Sequence, residues 1–182
     1  MSAAIDINPF ESTQFVWADA GYFSGSASGI SSPNEHIVNV NITERGVHPS
    51  KVMLLHVRNP EPKYPILAAG NMYVGTKDGF ANFYDSYYKT FWLLVQKRIS
   101  VGSDQHVMCY TCYYFKDACH LYFSGSHKKW FELIKGLKNK DQFFADNYNS
   151  SWLKKMKSIF APDPINVQSL TTPPGAISEY PV

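Results

Sequence analysis

Residues 66–99 read ILAAGNMYVGTKDGFANFYDSYYKTFWLLVQKRI, and two periods meet inside them. The first part, Ile66–Val74, is an apolar run broken by Gly70, which predicts a strand with a bend. From Phe80 onward the apolar residues fall at Phe80, Phe83, Tyr84, Tyr87, Phe91, Leu94 and Val95. That spacing predicts an amphipathic helix over Phe80–Ile99, with Asp85, Lys89, Gln96 and Lys97 on its polar side.

Working outward, short apolar runs at Gln14–Asp19, Ile37–Ile42 and Lys51–Val57 predict strands. A small-residue stretch from Ser24 to Pro33 predicts a loop, and Pro60, Pro62 and Pro65 an extended connection. Past the long helix, Gly102 reads as a stop and Ser103 as the N-cap of a helix over Asp104–Phe115. A strand over Cys119–Phe123 and helices over His127–Leu137 and from Ser150 or Ser151 to Phe160 complete the pattern. Strands mixed with helices indicate an α/β class. A parallel sheet needs crossover helices, and the first fifty residues offer none, so the sheet is partly antiparallel or the chain lacks opening βαβ units. The expected organisation is one domain over residues 1–160 and a disordered tail over 161–182, which holds five Pro and few large apolar residues.

Composition narrows the class. Of 182 residues, 45% are hydrophobic and 18% charged, which excludes a disordered chain. No apolar run approaches a membrane span, and MSAAIDINPF has neither a basic nor an apolar region of the signal-peptide kind. Three Cys exclude a disulfide scaffold and leave at least one thiol unpaired within the chain. A net charge of +2 gives no reason to invoke nucleic acid. The exception is residues 128–157, with eight Lys against Glu132, Asp141 and Asp146. This segment is either a solvated helix surface or a patch with weak, salt-sensitive affinity for anionic membranes.

Candidate chemistry rests on few side chains. Asp19 ends an apolar strand, where open α/β sheets bind ligands and where a carboxylate suits a hard cation bridging phosphate oxygens; it is equally explained as a turn residue. Asp104 and Gln105 begin a helix, so capping and the macrodipole explain the acid without a substrate. His106 reads as a surface or half-buried imidazole. Cys109, Cys112, Cys119 and His120 supply four zinc-type ligands, but their aromatic surroundings favour core-packing cysteines. His120 and Tyr122 fall on one strand face. Asn41-Ile42-Thr43 and Asn149-Ser150-Ser151 are glycosylation sequons that matter only in a secretory compartment, and a strand at Asn41 argues against its use.

Asn8-Pro9-Phe10 followed by Phe15-Val16-Trp17-Ala18-Asp19-Ala20-Gly21 resembles a segment of the HtrL/YibB family. So do Ala69-Gly70-Asn71, Gly75, Phe83-Tyr84 and Gly102-Ser103-Asp104-Gln105-His106-Val107-Met108, in the same order. The resemblance implies a partial nucleotide-sugar-transferase fold of GT-A-like type, a mixed sheet flanked by helices, of which this chain is the C-terminal two-thirds. It implies glycosyl transfer from a nucleotide sugar to a glycan acceptor. Asp19 would hold Mn²⁺ or Mg²⁺ with the donor diphosphate, although Gly21 stands where such folds carry a second Asp. Gly70 and Asn71 would lie beside the donor sugar, Asp104 and Gln105 would act on sugar hydroxyls in the catalytic site, and Lys128 would meet the diphosphate. Gly21 keeps a second possibility open, a non-catalytic sugar-binding or interaction domain. Only eighteen residues precede Asp19, fewer than the roughly 30 of a βαβ unit. The expectation is therefore an exposed strand edge at Gln14–Asp19, pairing into a homo-oligomer, and weak donor binding.

Overall fold

The computed structural model describes residues 2–19, 41–57, 67–123 and the two positions 133 and 137. Its elements are α1 (Ser2–Ile7), β1 (Gln14–Ala18), β2 (Val52–Val57), β3 (Leu67–Thr76), α2 (Lys77–Gln96), α3 (Asp104–Tyr114) and β4 (Cys119–Phe123). Single 3₁₀ turns occupy Thr43–Arg45 and Lys116–Ala118. The Ser24–Pro33 loop, the proline connection, Lys128, the last helix and the tail lie outside the described residues. Leu133 and Leu137 are helical and buried, one turn apart, as the helix expected over His127–Leu137 requires.

The four strands form one mixed sheet in the order β1-β3-β2-β4. β3 runs antiparallel to both β1 and β2, while β2 and β4 are parallel. This is an α/β arrangement with a partly antiparallel sheet, one of the two outcomes expected; the short α1 at Ser2–Ile7 corrects the expectation that the first fifty residues hold no helix. The carboxyl ends of β1, β2 and β4 therefore share one end of the sheet, together with the start of β3. Among the described residues β1 is an edge strand.

Side chains sort by the strand period of two. On one face Trp17 stacks on its register partner Tyr73, with ring centroids 4.9 Å apart. Tyr73 in turn meets Phe80 and Phe83 of α2 at 5.8 and 6.0 Å. Gly75 admits both neighbours closely: a Cβ there would lie 3.1 Å from Val52 and 3.3 Å from Phe80 of α2. β2 is buried on both faces, and Val52, Met53, Leu54 and Leu55 are all at most 1% exposed. Val16, on the far face of β1, is 52% exposed, as an edge strand permits.

α2 starts three residues before the first apolar position of its stripe. Thr76 caps it, accepting the Gly79 amide at 3.1 Å while its own hydroxyl donates to the Pro49 carbonyl at 2.6 Å. α3 is buried over six consecutive residues, Val107–Cys112, wedged between α2 and β3.

Three expectations need correction. Asn41 and Ile42 are not in a strand. Ile42 points into the core at 1% exposure, and the chain turns through Thr43–Arg45 with Gly46 in the left-handed region at φ +82. The Asn41 carboxamide organises that turn by accepting from the Thr43 amide and hydroxyl at 3.1 and 2.7 Å. Ser103 holds the N-cap position of α3 with an extended backbone, but its hydroxyl makes no capping bond. The cysteines are not three packing thiols, because Cys112 and Cys119 form a disulfide that ties the end of α3 to the start of β4. Cys109 is the remaining thiol; it is buried and accepts the Ala68 amide at 3.1 Å.

Candidate functional site

Between Leu54 and His56, β2 advances two residues while β3 advances from Tyr73 to Ala68. The surplus backbone of β3, residues 69–72, bulges at the carboxyl end of the parallel strands. Gly70 and Asn71 lie in this bulge, where the sequence predicts a bend.

The bulge joins the other candidate residues. On its β1 side the Asp19 amide donates to the Asn71 carbonyl at 2.8 Å, extending the β1–β3 pairing by one step and fixing where the exposed Asp19 carboxylate leaves the sheet. On its α3 side Gly70 faces the helix start. A Cβ on Gly70 would lie 3.0 Å from Gln105 Cγ, 3.4 Å from Asp104 Oδ2 and 3.6 Å from Gln105 Nε2. Asp19, Gly70, Asn71, Asp104 and Gln105, scattered over more than eighty positions of sequence, thus form one rim. Lys128 lies outside the described residues.

Asp104 divides its two oxygens. Oδ1 accepts the Gln105 amide at 2.8 Å, which is the local capping role expected of an acid at a helix start. Oδ2 is the oxygen turned toward Gly70, and the residue as a whole is exposed. Gln105 and His106 are half-buried, and the His106 ring sits over Gly102.

Three phenols to which the sequence gives no role in the site also belong here. The Tyr73 hydroxyl donates to Tyr84, and burial, followed by the neighbouring Tyr84 and the Asp104 carboxylate, pushes the Tyr73 phenol far above its ordinary value. Burial and then Asp104 raise Tyr87 as well. Tyr73 and Tyr87 therefore stay protonated beside the Asp104 carboxylate at any physiological pH, and Tyr84 joins them by accepting from Tyr73. Their spacing, Tyr84 and Tyr87 one turn apart on α2, marks a helix face; only the fold shows that Asp104 lies against it.

Asp19 and Asp104 are the acids of this rim. Among the described residues no three His, Cys, Asp or Glu side chains cluster as a resident metal site would require. Asp19 alone fits a different arrangement, a magnesium-type ion delivered with a diphosphate, which commonly takes only one or two protein carboxylates. Tyr122 is 2% exposed and sits with His120 on the sheet face opposite Trp17 and Tyr73. Comparison of the chain with protein-family models, curated proteins and solved structures gives no match.

Proposed function

We propose that this rim binds a nucleotide sugar and that the protein is a glycosyltransferase of GT-A-like architecture. The observation that carries the reading is the Gly70–Asn71 bulge, which brings the Asp19 strand end and the Asp104–Gln105 helix start to the same end of the sheet. That end is where open α/β sheets bind ligands.

The roles follow from the chemistry of each group. Asp19 carries an exposed carboxylate for an ion accompanying the donor diphosphate; when bound, that ion neutralises charge on the departing phosphate oxygens. Gly70, having no side chain, lets Asp104 and Gln105 lie directly against the β3 backbone, which sets them beside the position of the donor sugar. Asp104 Oδ2 accepts a sugar hydroxyl, and the Gln105 carboxamide both donates and accepts. Catalysis is then mainly positioning and electrostatic stabilisation of the leaving diphosphate.

A specific observation favours a second reading, a sugar-binding module without chemistry: Gly21 occupies the position of the second acid of an Asp-x-Asp pair. The two are separated by incubating the protein and Mn²⁺ with uridine and guanosine diphosphate sugars. Release of the nucleoside diphosphate supports the transferase. A rise in melting temperature with no release supports the binding module. Neither effect rejects both.

A further inference from the structure

We propose that Asn41 is an N-glycan acceptor and that the protein folds in an oxidising, secretory compartment. The inference is independent of the sugar-transfer reading. Two unrelated observations carry it.

The first is local. Asn41-Ile42-Thr43 is a complete sequon, and the structure places it in an exposed turn rather than in a strand. Ile42 anchors the turn by burying its side chain, while its amide donates to Gln14 Oε1 at 2.8 Å. Asn41 stays outside. Its Oδ1 takes the Thr43 hydroxyl at 2.7 Å, so the two residues that define the sequon are in direct contact. Among the described residues the nucleophilic Nδ2 donates to Glu44 Oε1 at 3.0 Å, and that bond is at the surface, where rotation of Glu44 opens it. The second observation is remote in sequence. Cys112 and Cys119 are joined, and such bonds form and persist where the surroundings are oxidising. That is the compartment in which sequons on surface loops are modified.

The reaction needs a lipid-pyrophosphate-linked oligosaccharide as donor. The bond between the anomeric carbon and the pyrophosphate oxygen breaks and the bond from that carbon to Asn41 Nδ2 forms. One amide proton is lost to a base of the transferring enzyme, the lipid pyrophosphate departs, and nothing is oxidised or reduced. A glycan here leaves the candidate rim open. Asn41 touches Gln14, the first residue of β1, whereas Asp19 lies five residues on, roughly 16 Å along the strand.

The test uses protein purified from the cells that make it. Peptide N-glycosidase treatment should convert Asn41 to Asp in its peptide, read by mass spectrometry, and Cys112 and Cys119 should resist alkylation until reduced. In the same cells Thr43→Ser should keep the modification, and Thr43→Ala and Asn41→Gln should abolish it. An Asn41 peptide found unmodified, a glycan carried by Asn149 alone, free thiols at Cys112 and Cys119, or a glycan that survives Thr43→Ala would each overturn the proposal.

Discussion

The two ends of the sheet are built differently. At the end where β1 and β2 begin, polar groups are spent on holding the chain. Gln14 brackets Asn41 and Ile42, Thr76 caps α2 and reaches Pro49, and Asn82 donates to the carbonyls of Ser50 and Asp117 at 2.9 and 3.0 Å. At the other end backbone does the holding, through the Asp19–Asn71 bond and the bulge, and the carboxylates of Asp19 and Asp104 are exposed. The contrast matches the proposed division of stability at the first end and binding at the second, and under that proposal substitutions should divide accordingly.

The largest loss of stability should come from the disulfide, which belongs to neither end. It closes a short loop between residues seven apart, and Cys112→Ala should lower the unfolding free energy by about 2–3 kcal/mol in urea titration. Gly79→Ala should cost about 2 kcal/mol, because the new Cβ would lie 2.6 Å from the Lys51 carbonyl oxygen and 2.9 Å from that of Pro49, and backbone cannot step aside as a side chain can. Thr76→Ala should cost about 1–2 kcal/mol through the lost cap, with Thr76→Ser restoring most of it. At the binding end Gly70→Ala meets the flexible Gln105 side chain, so its stability change should stay within about 1 kcal/mol while ligand affinity falls. Asp19→Ala and Asp104→Asn should be smaller still, within about 0.5 kcal/mol.

Alkaline pH offers a stability test that needs no ligand. Burial pushes the Cys109 thiol from 9.0 up to about 12, and burial, with Tyr114 and Cys109 adding, raises Tyr110 from 10.0 to about 12. Folded Cys109 and Tyr110 hold protons that the unfolded chain has released. Their contribution is whole below about pH 9 and is lost as pH rises toward 12. Urea midpoints measured across that range should fall, and Cys109 should resist alkylation in the folded protein at neutral pH.

What the sequence made legible follows from how local each cause is. α2 was readable because one helix buries one stripe, and β4 because a short apolar run between turns has few other outcomes. Asp19, Gly70 and Asp104 each carried a local signal, an acid after a strand, a break within one, an acid before a helix. Their meeting depends on the register of β1 on β3 and on the packing of α3, which no window of sequence contains. The same holds for Cys112 and Cys119, whose Cα atoms come within 5.4 Å only because α3 ends beside β4. Ile37, Val38, Val40 and Ile42 alternate like a strand, whereas Ile42 is buried as the anchor of a turn, a use of an apolar residue that alternation does not reveal.

The central claim is that the carboxyl end of the sheet is a ligand site organised around Asp19. Isothermal calorimetry with Mn²⁺ and uridine or guanosine diphosphate addresses it directly, using the wild-type chain, Asp19→Ala and Thr76→Ala. The account predicts Mn²⁺-dependent binding to wild type, the same binding to folded Thr76→Ala despite its lower stability, and loss of binding in Asp19→Ala at unchanged stability. Equal Mn²⁺-dependent affinity in wild type and Asp19→Ala, or no binding by either, would contradict it.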